Sequence, residues 1–260
     1  MARSTRPLYI ATRPDGTVPP TSRALAEYAR QSGETIPTVN LADHISETVD
    51  HPSPGRKWYT DKPFSYFHMY SQPGEILERV EGWPVLLFAV EPLGETGNWS
   101  AHHPYWLMSH QVRVLDEAPA WRALGHRGQQ VLNLIDQLPS LARQWADEWA
   151  ADPDNSRQRY DAWSERVTDN RARQRAHHRA QTCRRKAAFI TADALARTAA
   201  VKAATEAGAA PDTVNTIRLR ARCLAVGELL HDRLRSGEYE KSIRELLLGA
   251  GLDTAASAAS

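Results

Sequence analysis

Residues 84–97 read PVLLFAVEPLGETG, and the first half of this stretch decides the fold class of what surrounds it. Val85 to Val90 is a six-residue apolar run rich in strand formers, with Gly82 and Pro84 before it and Pro92 and Gly94 after it. Bounded in this way, it predicts a buried strand. The second half, Glu-Pro-Leu-Gly-Glu, reads as the turn that ends the strand and sets Glu91 and Glu95 at its C-terminal end. A carboxylate there can act as a general base or stabilise a developing cation. Equally, both can be solvated turn residues, the commoner fate of charged side chains.

Outward from this run, the chain up to Trp121 is Pro-rich and short-segmented. It predicts strands at 7–11, 57–60, 85–90 and 111–115 and helices at 22–32 and 64–70, an α+β pattern. Beyond Trp121 the pattern is helical. Val131, Ile135, Leu138, Leu141, Trp145 and Trp149 recur at three- and four-residue spacing, and Pro139 with Ser140 predicts two helices meeting there. Tyr160, Trp163 and Val167 continue the periodicity into an Ala- and Arg-rich stretch reaching Ala207. Asp212, after Pro211, predicts an N-cap for a helix with the stripe Leu219, Cys223, Val226, Leu230 and Leu234, and a last helix is expected over 238–248. The expected division is an α+β domain over 1–121, an all-α region over 122–252 and a disordered tail over 253–260.

The chain has 260 residues, of which 42% are apolar, enough for a real core. No window approaches the continuous apolar length of a membrane span, and the first residues lack the apolar region of a secretion signal. Cys183 and Cys223 are the only cysteines, so a disulfide framework is not expected and a cytoplasmic protein is. Charge is divided unevenly. Residues 1–150 hold 13 Lys and Arg against 17 Asp and Glu, net −4, while residues 151–260 hold 19 against 14, net +5.

The positive excess centres on RARQRAHHRAQTCRRK, residues 171–186, with seven Lys or Arg, two His and no acid. Its cations, Arg171, Arg173, Arg175, Arg179, Arg184, Arg185 and Lys186, would surround a helix with a field that attracts nucleic-acid phosphates. The alternative is a solvated helix pairing with acidic surface. The segment contains no aromatic residue that would stack on single-stranded bases. His102, His103 and His110 have no neighbouring Cys and match no zinc spacing, so no metal is expected. The glycine-rich phosphate loops, the GxSxG elbow, HExxH and paired CxxC are all absent.

In order along the chain, LYIAT, KWYTDKPFSYFHMY, WPVLLFAVEPLGE and PYWLMSHQVRVLDEAPAW resemble the small ADP-ribosyltransferase domain of the rifampin ADP-ribosyltransferase type. The likeness covers roughly residues 7–121. It is similar, too, to actinobacterial and phage proteins in which such a domain precedes an Ala- and Arg-rich helical region, and the Ala, Arg and Trp usage suits an actinobacterial source. The resemblance implies a split-sheet fold with NAD in a cleft, and mono-ADP-ribosyl transfer to a nucleic-acid or protein acceptor. It implies Glu95 and Tyr59 as catalytic residues, Tyr9, Thr12, Arg13, Trp58 and Thr60 as NAD contacts, and a structural role for Glu91 in the turn. Where the family has a histidine in its first strand this chain has Ile10, which cannot hydrogen-bond a ribose. The competing expectation is therefore a non-enzymatic protein, a scaffold that binds nucleic acid or a partner through its basic half.

Overall fold

The structure, a computed structural model, describes residues 7–18, 31, 33, 38–52, 66–79, 82–97, 106–168 and 186–235. These form two compact units that divide between Gly125 and His126, four residues beyond the boundary read from the sequence. Among the described residues the first unit holds strands and 3-10 turns, with Gln31 helical, and the second holds helices, the expected α+β class.

Five strands build the first unit: β1 (Leu8–Thr12), β2 (Thr48–Asp50), β3 (Phe67–Tyr70), β4 (Leu86–Gly97) and β5 (Trp106–Ala118). All pairings are antiparallel, in the order β2-β5-β3-β1-β4, and β4 pairs with β5 as well. The ring β5-β3-β1-β4 is thereby closed. Along one edge β5 carries β3 and then β2; along the other it carries β4, from Gly97 opposite Met108 to Leu87 opposite Ala118. Closure demands that the long strands bend. The ladder supplies two places for it: Leu115 of β5 is the extra residue opposite Ala89/Val90, and β4 carries an extra residue between Leu93 and Thr96. Such bulges bend a strand and increase its twist. Among the described residues all five strands belong to one sheet.

Two of the expected elements change. Glu-Pro-Leu-Gly-Glu is no terminal turn: β4 continues through it to Gly97. Gly94, at φ 71, takes up the left-handed conformation inside the second bulge, and beyond Val90 β4 has no β1 partner, so Pro92 occupies an edge, where strands tolerate proline. The expected helix at 64–70 is instead strand β3 at Phe67–Tyr70. Phe67 and Met69 enter a core with Leu8, Ile10, Phe88, Val90, Val112 and Val114. Tyr66, His68 and Tyr70 alternate to the other face and are buried too, so no polar period of two marks the strand. The expected strand at 57–60 and helix at 22–32 lie outside the described residues, Gln31 excepted.

The second unit has helices α1 (Gly128–Ala151), α2 (Pro153–Thr168), α3 (Lys186–Glu206) and α4 (Pro211–Arg235). α1 runs unbroken through Pro139, where two helices were expected; the break falls at Asp152. Pro139 forfeits one backbone hydrogen bond. Fully buried Leu138 and Ala142 on either side hold the helix through it. Pro211 is the first residue of α4, with Asp212 inside the first turn instead of capping it, the position where a missing N–H costs nothing. The buried face of α4 is carried by Thr213, Ile217, Ala221 and Leu224, with Cys223 and Val226 beside it and Leu219 only half-buried. α3 faces this core with small residues: Ala188, Ala192, Ala196, Ala200 and Ala203, at helical spacing. Trp145 of α1 and Leu224 of α4 fill the space the alanines leave. The helix expected over 238–248 lies outside the described residues.

The alanine face makes a specific demand on volume. Ala200 is fully buried, so Ala200→Leu is expected to destabilise the second unit by about 1–3 kcal/mol through overpacking. Thr198→Leu, two residues away on the exposed face, is expected to change stability by less than about 0.5 kcal/mol. Urea unfolding followed by far-ultraviolet circular dichroism compares the two.

Candidate functional site

β1 places the first expected contacts in the middle of the sheet. Tyr9 stands between Tyr70 of β3 and Ala89 of β4, and it is buried. Its hydroxyl accepts a hydrogen bond from the guanidinium of Arg122, 3.1 Å away, on the 3-10 turn Ala120–Leu124. Thr12, at the end of β1, is fully buried, and its hydroxyl donates to the carbonyl of Arg13 at 3.0 Å. Both hydroxyls are thus engaged within the unit. Arg13 opens a turn in which its N–H donates to the Thr17 carbonyl and its own carbonyl accepts from Gly16, each at 2.9 Å. Gly16 has φ +85, and a Cβ there would lie 2.0 Å from the Oδ1 of Asn40, so only glycine fits this turn.

Glu95 is elsewhere. It projects from the bulge of β4, where Gly94 and Glu95 together oppose His110 alone, and it is exposed. Tyr9 pairs with Ala89, six residues earlier on β4, and Thr12 pairs with Leu86, nine residues earlier. Glu95 therefore lies six residues along β4 from the register level of Tyr9 and nine from that of Thr12. Tyr9, Thr12 and Glu95 thus stand at different register levels of the sheet, and Ile10, at the place of the family's histidine, enters the apolar core. Glu91 is half-exposed and 3.8 Å from Arg113, its register partner on β5, a pairing in keeping with a structural role. Tyr59, Trp58 and Thr60 lie outside the described residues, as do His102, His103 and the cations Arg171 to Arg185; Lys186 begins α3. His110 packs its ring on Tyr66 at 4.5 Å, and no group of three metal-ligating side chains occurs among the described residues.

Other buried polar residues carry no signal in the sequence. His51, His68 and Glu75 are all less than a tenth exposed, and Glu75 sits in the 3-10 turn Pro73–Arg79, which packs on β1 and β3. In the second unit Asp193 of α3 is buried between Arg197, at 3.2 Å, and Arg222 of α4, at 3.5 Å. Arg127, just before α1, pairs with Glu228 of α4.

A different arrangement occupies the corner of α1, α2 and α4. The guanidinium of Arg220 lies over the ring of Trp145, 5.4 Å from its centre. One turn further along α1, Trp149 meets Tyr160 of α2 edge to face at 6.1 Å, and both rings are half-exposed. Burial pulls the Arg220 pKa below the ordinary arginine range; Glu148 and Tyr160 favour its charge while Arg159, on α2, opposes it. Two guanidiniums and a pair of accessible rings thus share one corner. The signal was scattered: Trp149 and Tyr160 lie 11 residues apart in the sequence and Arg220 another 60 on.

Comparison with protein-family models, curated proteins and solved structures returned no match. No helix among the described residues is long and apolar enough to cross a membrane.

The β1 turn makes a titration prediction. The Oδ1 of Asp15 accepts from the Thr17 hydroxyl at 2.6 Å and from the Thr17 N–H at 2.9 Å. These bonds, with Arg13 nearby, hold the Asp15 carboxyl below its ordinary 3.8. A lowered folded-state pKa adds stability that is complete above the unfolded value and fades as pH falls through the folded one. NMR titration is expected to place the Asp15 midpoint below 3.8, and Thr17→Val to move it back up toward that value.

Proposed function

We propose that this chain is a non-enzymatic nucleic-acid-binding protein, an accessory protein of the phage or plasmid kind, in which the α+β unit is scaffold and the helical half does the binding. The dispersal of Tyr9, Thr12 and Glu95 is the observation that carries the first part. Transfer of ADP-ribose needs a carboxylate beside the reacting centre, together with groups that hold the dinucleotide. Here Glu95 lies six residues along β4 beyond Ala89, the register partner of Tyr9, and is exposed. The net charges of −4 and +5 on the two parts of the chain, with the seven cations of 171–186 inside the positive part, support the second. A reducing, cytoplasmic setting belongs to the same reading, and Cys223 is buried in the helical core.

The order of β1, β4 and β5 along the chain favours a second reading, an NAD-dependent mono-ADP-ribosyltransferase with an unidentified acceptor. NAD turnover separates the two. The full chain incubated with nicotinamide-labelled NAD is expected to release no nicotinamide above background, with or without added protein or nucleic acid, and Glu95→Gln is expected to behave identically. Turnover that is lost in Glu95→Gln would establish the transferase instead. In parallel, affinity for a labelled DNA is expected to fall about a hundredfold between roughly 50 and 200 mM salt, as about four phosphate contacts require. A flat salt response would exclude phosphate-driven binding.

A further inference from the structure

The basic segment 171–186 has charge but no aromatic residue, so by itself it offers phosphates a partner and bases none. The helical corner supplies what is missing. α2 leads, along the chain, into that segment, and Tyr160 of α2 sits edge to face with Trp149 of α1 at 6.1 Å. Arg159 is exposed beside Tyr160, and Arg220 is held over Trp145 at 5.4 Å. Building on the nucleic-acid reading, we propose that Trp149, Tyr160, Arg159 and Arg220 form a platform for single-stranded nucleic acid.

The physical case rests on three points. The two aromatic rings are half-exposed, and a ring face left in reach of solvent gives an unpaired base a surface to stack on, which a duplex, with its bases already stacked, cannot use. Burial and then Arg159 work against the charge of Arg220, while Glu148 and Tyr160 favour it. A phosphate between the two guanidiniums would relieve that repulsion and gain charge-assisted hydrogen bonds. Arg220, finally, is already ordered on Trp145, so binding costs little of its side-chain freedom. The corner lies within one compact unit, so its geometry does not depend on how the two units are placed.

The test uses the full chain with two probes at one salt concentration, a labelled oligo-dT of roughly 20 nucleotides and a duplex of the same length. Wild type is expected to bind the single strand more tightly. Trp149→Ala and Tyr160→Ala are each expected to weaken single-strand binding roughly tenfold while leaving duplex binding within about twofold, with Tyr160→Phe close to wild type. Tyr160 also packs against the helical core, so Arg159→Glu, at an exposed position, is the companion variant should Tyr160→Ala lose helical signal. It is expected to weaken single-strand binding more than duplex binding. Equal binding of the two probes, or single-strand affinity unchanged in Trp149→Ala and Arg159→Glu, would overturn the platform and leave the nucleic-acid reading intact. Absence of binding to both probes by wild type would overturn that reading and the platform with it.

Discussion

The first unit depends on the ladder between β4 and β5. Both strands are long, 12 and 13 residues, and each has other partners to serve: β4 must hold β1, and β5 must hold β2 and β3. Straight strands could meet these obligations only in an open sheet with its two ends apart. A bulge on β5 at Leu115 and one on β4 between Leu93 and Thr96 let the two long strands bend together, and the ring of hydrogen bonds closes. Closure removes edges that would otherwise expose unpaired N–H and C=O groups. It also encloses a core of Ile10, Phe67, Met69, Phe88 and Val112, each of them 3% exposed or less. The same ladder sets the place of Glu95, because the bulged extension of β4 that carries it runs beyond the last β1 partner, Val90.

The second unit is governed by a different constraint, the small size of alanine. A helix whose inner face is alanine gains little buried area per residue, so it contributes stability only if its neighbours come close and fill the gaps with larger groups. Leu138 and Trp145 from α1 and Ile217 and Leu224 from α4 do this. Close approach has an electrostatic consequence. Asp193, at 12% side-chain exposure, would be costly so near a packed interface, and Arg197 from its own helix and Arg222 from α4 offset that cost. The pairing also fixes which turn of α4 faces which turn of α3.

Legibility in the sequence followed the physics of burial. The apolar run Val85 to Val90 announced a strand because both its flanks are turn formers, and the helical half announced itself through repeated three- and four-residue spacing. β3 did not, since Tyr66, Phe67, His68, Met69 and Tyr70 are buried on both faces and produce no alternation. Pro92 and Gly94 suggested a strand end because proline and glycine usually mark one; an edge position and a bulge let both remain inside β4. Pro139 misled for a similar reason, since packing of Leu138 and Ala142 outweighed the lost hydrogen bond. The candidate site was the least legible part. Assigning Glu91 to Arg113, Tyr9 to Arg122, or Arg220 to Trp145 requires the register of strands and the rotation of helices, which short motifs do not contain.

The arginines of α4 show how differently one helix can house the same side chain. Arg218, Arg220 and Arg222 are alternate residues on one helix, yet each meets a different environment. Arg222 is neutralised by the buried carboxylate of Asp193, and Arg218 donates to Asn215 on its own helix at 2.6 Å. Arg220 rests on an aromatic face with a second arginine opposing its charge. A guanidinium over an indole keeps its edge N–H groups available while its face is occupied. In the sheet unit the comparable arginine, Arg122, donates to the hydroxyl of Tyr9 and lies 5.6 Å from the centre of the Trp121 ring, so its polar edge serves the fold. What each guanidinium meets is thus set by its neighbours across the fold: a carboxylate for Arg222, an amide for Arg218, a phenol for Arg122 and an indole face for Arg220.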